Sequence, residues 1–167
     1  DIAVHSLKDM TAQCPDGLTI AAVTAREDPR DAFVSNKYKS LEELPLHAKV
    51  GTSSLRRQAQ LLHWRGDLSI GTLRGNVQTR LRHLDEGKFD AIILAAAGLK
   101  RLGLADRITS YISTDDSIPA AGQGVMAVEA RSDDQETLSL LSFLHDEDVA
   151  SCIRSERSFL AKVGGDC

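Results

Sequence analysis

The sequence predicts an α/β protein of two lobes joined by two crossings, followed by the start of a small third α+β domain. Three observations carry that expectation. Short apolar runs of strand type alternate with amphipathic runs of helical type, which points to helices packed on a largely parallel sheet. Two segments, 26–31 and 118–124, break the alternation with charge, proline and glycine, and so read as crossings between lobes. A chain of 167 residues, 42% hydrophobic and 26% charged, can bury a real core in one domain or two small ones.

The candidate strands, in chain order, are residues 2–5, 18–23, 32–35, 49–51, 69–73, 91–95 and 125–130. Helices fit between several of them. Ser40-Leu41-Glu42-Glu43 reads as a capping box opening a short helix. A helix opening after Ser53 and Ser54 has the apolar face Leu55, Ala59 and Leu62, and the next has Val77, Leu81 and Leu84. Residues 96–102 and 134–144 read as helical. A last helix over 146–162 carries the stripe Val149, Cys152, Ile153, Phe159 and Leu160, which places Cys152 in the core, and Gly164-Gly165 ends it. The resulting division assigns 1–25 and 124–145 to a discontinuous first domain and 26–123 to a second with its hinges. Residues 146–167 open the third. A ligand is expected in the cleft between the lobes, where small-molecule sites are common.

Gly51-Thr52-Ser53-Ser54-Leu55-Arg56-Arg57-Gln58 is the richest stretch, a strand end, a hydroxyl-rich turn and a helix opening with two arginines. The first amides of a helix lack intrahelical partners and sit at the positive end of its dipole, so they hold a carboxylate or phosphate. Arginines in that first turn oppose the dipole and ask for a compensating anion. Thr72-Leu73-Arg74-Gly75-Asn76 repeats the plan ahead of Arg80 and Arg82. Between Gly51 and His83 six arginines stand against one acid, Asp67, in a chain of net charge -4. Arginine is the only Lys/Arg cation in that window, which favours planar, bidentate targets. The bland alternative is a solvated basic face, and it is strongest for Arg65 and Arg82.

His5-Ser6-Leu7-Lys8-Asp9 follows the first strand, which puts Lys8 and Asp9 at the carboxyl end of a sheet, the usual ligand side. Asp9 is suited to stabilise a cation or shuttle a proton, or it is a turn aspartate paired with Lys8. Cys167, after Gly164-Gly165-Asp166, is either a covalent anchor or nucleophile or a cysteine that merely falls at the chain end.

The three cysteines, 14, 152 and 167, form no Cys-x-x-Cys pair, which speaks against a disulfide framework and a zinc site and for a reducing compartment. No metal is expected. No apolar run approaches the length of a bilayer span, so no membrane partner is expected either. Net acidity and an aromatic content of 4% argue against nucleic acid. The chain opens directly in a strand-like run, from which we expect that further sequence precedes Asp1.

Seven segments taken together resemble the hydroxymethylbilane synthase (porphobilinogen deaminase) family. They are His5 to Asp9, Arg26-Glu27-Asp28-Pro29-Arg30-Asp31-Ala32-Phe33, Gly51 to Gln58, Leu73-Arg74-Gly75-Asn76, Asp90-Ala91-Ile92-Ile93-Leu94-Ala95, Gly98-Leu99-Lys100-Arg101-Leu102-Gly103 and Pro119-Ala120-Ala121-Gly122-Gln123-Gly124. The resemblance implies a transferase of tetrapyrrole biosynthesis that joins four porphobilinogen units, with loss of ammonia at each step, into linear hydroxymethylbilane. It implies a dipyrromethane primer held as a thioether on Cys167, although Asp166 stands where a second glycine is more familiar. Asp9 matches the catalytic aspartate. Lys8, Ser54, Arg56, Arg57 and Gly75 match cofactor-binding positions, and Ser6, Thr52, Ser53, Arg74, Arg80, Arg101 and Gln123 match substrate-binding ones. A cytoplasmic monomer follows from the same resemblance, plastid-located in a photosynthetic eukaryote, with this stretch alone incomplete for turnover. A non-catalytic anion-binding lobe of periplasmic-binding-protein type has the same two-crossing plan and is the alternative.

Overall fold

The computed structural model describes residues 1–164 and divides the chain into two compact units. The first takes Asp1–Asp28 and the chain from Ala120 onward; the second is Pro29–Pro119.

In the first unit, β1 (Ala3–Ser6), β2 (Leu18–Val23) and β8 (Met126–Arg131) form a sheet in the order β1-β8-β2, with both pairings antiparallel. Side chains alternate across β8, as strand geometry requires. Val125 and Ala127 pack with Leu7, Met10, Ala150 and Ile153 on one face, while Val128 and Ala130 pack with Ala22 and Leu141 on the other. Helix α5 (Glu147–Lys162) therefore covers the first face and α4 (Gln135–Leu141) the second. Gly124 has φ +92, and a Cβ there would stand 2.3 Å from the Glu27 carbonyl oxygen, so the 118–124 segment does run hard against backbone. The Arg26 guanidinium forks onto Glu156 of α5 at 2.5 and 3.0 Å, and Glu156 also accepts the Gly122 amide at 2.8 Å.

The second unit holds β3 (Asp31–Val34), β4 (Lys49–Gly51), β5 (Ser69–Gly71), β6 (Ala91–Ala95) and β7 (Ser110–Ile112) in the order β5-β4-β6-β3-β7. Helix α1 (Leu55–Trp64) lies between β4 and β5 in sequence and α2 (Val77–Asp85) between β5 and β6; α3 (Ala96–Arg101) follows β6. Phe33, Val50, Leu61 and Ile93 build one layer of core, and Ala32, Val34, Leu81, Leu84, Ile92, Leu94 and Leu99 the other.

Four details depart from the sequence reading. The sheets are not largely parallel: among the described residues only β4–β5 and β4–β6 are, and these are the strands linked by helical crossovers. The remaining pairings, β1–β8, β2–β8, β3–β6 and β3–β7, are antiparallel and join strands that are distant in sequence. The capping box at Ser40 opens one hydrogen-bonded turn, Leu44 N–H to Leu41 carbonyl, and stops, because Pro45 follows at once. Its polar logic survives, with Glu43 accepting the Lys39 amide at 2.8 Å. The strand from Ser69 ends at Gly71 rather than at residue 73, and β7 is a three-residue strand too short to announce itself. On α5 Cys152 is exposed and Phe159 is 69% exposed, since the buried side is the one bearing Ala150 and Ile153.

Candidate anion-binding site

Because β4 and β5 are parallel neighbours ending at Gly51 and Gly71, the turns that follow them leave the same edge of the sheet. Hydrogen bonds then lock the two turns together. The Thr52 amide donates to the Gly71 carbonyl at 3.0 Å, and the Ser53 hydroxyl both donates to the Leu73 carbonyl at 2.7 Å and accepts the Leu73 amide at 3.0 Å. The Thr52 hydroxyl accepts the Ser54 amide at 3.2 Å, and Ser54 caps α1 by accepting the Arg57 amide at 3.4 Å. Asn76 caps α2 by accepting the Thr79 amide at 2.8 Å. The turn before it depends on Gly75, whose φ is +104 and whose place would set a Cβ 2.9 Å from Thr79 Cγ2. Two helix openings, each with unpaired amides and a positive dipole end, thus stand side by side.

The arginines are less alike than the sequence suggests. Arg57 is only 6% exposed and turns into the unit, where its Nε and Nη2 donate to Oδ1 of Asp31 at 3.0 and 2.7 Å and its Nη1 to the Ile93 carbonyl at 3.4 Å. Arg56 is partly exposed; its Nη2 donates to Oδ2 of Asp31 at 2.8 Å and its Nη1 to the Ile118 carbonyl. Ser117 donates its hydroxyl to the same Oδ2 at 3.2 Å. Burial pushes the fully enclosed Asp31 carboxyl up, but Arg57 and then Arg56 outweigh it and hold the group below the ordinary aspartate value. Arg74 is exposed, and Arg80 folds its Nε back onto the Gly75 carbonyl at 2.8 Å. Arg101 lies in the last turn of α3. Arg65 and Arg82 pair with Asp67 and Glu86, so the local excess of charge is largely answered inside the unit.

This arrangement corrects the face assigned to α1 at Leu55 and Ala59, while Leu62 packs half-buried against the core as expected. Leu55 is 80% exposed and Ala59 is exposed; the buried residues are Arg57 and Leu61, because the ion pair with Asp31 sets the helix rotation. Helix α2 buries Leu81 and Leu84 as expected. Asp31, Ser117 and Gln60 were missed. The signal was present in the two first-turn arginines that require an anion: Asp31 supplies one from within the chain.

In the first unit, β1 leads into a 3-10 turn, Leu7–Asp9, in which Leu7 is buried, Lys8 half-buried and Asp9 exposed. Ser6 stands before the turn without capping it by its side chain. Gln123 is buried, and its carbonyl accepts Arg26 Nε at 3.0 Å. Cys167 lies outside the described residues. Among those residues, no group of three or more His, Cys, Asp or Glu could hold a metal ion, and no helix is long and apolar enough to cross a membrane.

The two α/β units, one interrupting the sequence of the other and the second edged by two helix openings, have the fold of periplasmic-binding-protein-like lobes. A periplasmic substrate-binding protein of an ABC transporter from Coxiella burnetii superposes with a TM-score of 0.52 at 18% identity, covering 83% of this chain and 66% of its own. That likeness concerns fold alone. The family whose profile matches residues 1–139 is described as porphobilinogen deaminase, dipyromethane cofactor binding domain. Porphobilinogen deaminases from Acidithiobacillus ferrooxidans and Chromobacterium violaceum are 59% and 56% identical over 167 residues, the whole of this chain and 55% and 54% of theirs. The chain belongs to the porphobilinogen deaminase family, and it spans about half the length of these curated relatives.

Proposed function

We propose that this chain is the cofactor- and substrate-holding part of a hydroxymethylbilane synthase, which condenses four porphobilinogen molecules head to tail on a dipyrromethane primer. The observation that carries the reading is the pair of tied helix openings with Arg56, Arg74 and Arg80 beside them, in a chain of this family. Each porphobilinogen brings an acetate and a propionate, and bidentate arginines with helix-end amides are the donor set such groups call for.

The dipyrromethane, tethered through Cys167, supplies the pyrrole carbon to which the first unit is joined. Lys8, Ser54, Arg56, Arg57 and Gly75 would hold its carboxylates, Arg57 with little surface left to offer. Ser6, Thr52, Ser53, Arg74, Arg80, Arg101 and Gln123 are assigned to the incoming substrate. Loss of ammonia from porphobilinogen leaves a delocalised pyrrolic cation. Asp9 would stabilise it, assist the proton at the departing amine and accept the proton released from the attacked ring carbon.

Within this reading, residues 1–25 and 124–145 belong to the first domain, 26–123 to the second with its hinges, and 146–167 to the opening of the third. The enzyme acts as a monomer in the cytoplasm, or in a plastid, without nucleic acid. A non-catalytic anion-binding lobe fits the fold but leaves the 59% identity to a deaminase without cause.

The test is an intact-mass spectrum of the protein at the length of its relatives, with peptide mapping at Cys167. An added mass of two linked pyrrole units on that peptide is expected. An unmodified Cys167 in the folded protein would move the reading to the anion-binding lobe.

A further inference from the structure

We propose that Asp31 is a positioning residue, the buried post that fixes the Arg56 guanidinium for ligand carboxylates. The inference rests on the anion-holding role proposed above and deepens it. Asp31 is fully enclosed, and its two oxygens are shared out: Oδ1 to Arg57, Oδ2 to Arg56 and Ser117. Arg57 and Asp31 together form a buried, charge-balanced unit on which Arg56 leans. A second brace comes from the other side, where Arg56 Nη1 donates to the Ile118 carbonyl. Gln60 holds that residue in turn, accepting the Ile118 amide at 2.7 Å and donating to its carbonyl at 3.3 Å. The guanidinium is therefore fixed at both Nη atoms while its side chain keeps 24% of its surface.

Two consequences follow. A free arginine loses rotamer freedom when it grips a carboxylate, and one already fixed does not lose it again. With Oδ1 taken by Arg57 and Oδ2 by Arg56, two guanidiniums also share the carboxylate that joins them, which keeps this corner of the unit favourable to an anion. Asp31 thus sets the direction of Arg56 without needing to touch the ligand.

The experiment compares wild type, Asp31→Asn and Asp31→Glu in the protein at the length of its relatives, each checked as folded by circular dichroism. Binding is measured calorimetrically in a Cys167→Ser background, which cannot carry the primer, with a dipyrromethane bearing acetate and propionate but no aminomethyl group, so no turnover is needed. Arginine Nε–H signals report side-chain order by 15N NMR. Expected for Asp31→Asn is an affinity loss of about ten-fold, the worth of one immobilised side chain, together with loss of the slowly exchanging Arg56 and Arg57 signals. Asp31→Glu should recover part of both. Unchanged affinity in Asp31→Asn overturns the inference, as does weakened affinity with undisturbed arginine signals. If Asp31→Asn does not fold, Ser117→Ala, which keeps all three charges, must show the same paired changes in smaller measure; no change in either overturns the inference. Failure of the primer-free protein with Asp31 intact to bind the probe overturns the cofactor-holding reading and this inference's ligand with it, whereas binding there with unchanged affinity in the Asp31 variants overturns this inference alone.

Discussion

At the start of α1, Ser54 caps the Arg57 amide and both first-turn arginines lean on Asp31; at the start of α2, Asn76 caps the Thr79 amide and Arg74 stands exposed with no ion-pair partner among the described residues. The two openings share strand, turn, cap and cation, yet differ in what answers the cation. One has its anion built into the fold. The other presents its charge to whatever arrives. A positive cluster in a sequence is therefore not yet a measure of charge on offer: the structure has to say how much of it is already spent.

The largest effect that separates the two openings is on stability. Arg57→Ala removes the main partner of a fully buried carboxylate, and breaking such a pair from one side costs about 3–5 kcal/mol. Arg74→Ala removes an exposed side chain and should leave the denaturation midpoint where it was, while weakening the binding of pyrrole carboxylates. Urea unfolding of both variants decides the matter. Equal midpoints would mean that Arg57 and Arg74 are equivalent surface cations and that the contrast is false.

Acid should expose the same contrast by a smaller margin. The Asp31 carboxyl titrates below 3.8 in the folded chain, so its contribution to stability is fully present above the unfolded value and is lost as pH falls through the folded one. Wild type and Asp31→Asn should therefore differ in unfolding free energy by a constant amount near neutrality and converge below pH 3.8. Taking the difference removes the other carboxylates that arginines also hold low, Glu156 among them. A gap that widens on acidification would reverse the sign assigned to Asp31.

The contrast also explains what the sequence could tell. Helix α2 was legible because its buried face is apolar, and Val77, Leu81 and Leu84 mark it by spacing alone. Helix α1 was not, because its buried face is anchored by a charge: Leu55 is turned out and Arg57 in, a rotation fixed by an acid 26 residues earlier in the chain. A hydrophobic count gives no weight to a buried ion pair. The tied turns were legible as two similar motifs, since glycine, hydroxyl and cap residues act locally, but the bonds between them depend on β4 and β5 being parallel neighbours. On α5 the stripe holds at Val149 and Ile153 but fails at Cys152 and Phe159 for a related reason: Glu156 and Arg157 share the inward side, Glu156 receiving the Arg26 fork and Arg157 donating to the Ala12 carbonyl at 2.8 Å, and Cys152 and Phe159 are turned away.

The smallest predicted effect tests whether the two openings act as one site. Ser53 is the link, its single hydroxyl serving both the amide and the carbonyl of Leu73. Ser53→Ala leaves the Leu73 amide and the Leu73 carbonyl each without this hydrogen bond, at a cost of about 1–3 kcal/mol if neither is remade. No charge changes, and neither helix cap is touched. If the openings hold one ligand together, the variant should weaken binding of the pyrrole diacid in the same direction as Arg74→Ala, and combining the two should give less than the sum of their separate effects, because coupled residues are not additive. Strict additivity would mean that the openings hold carboxylates independently, and the shared edge of the sheet would then bring them close without making them one site.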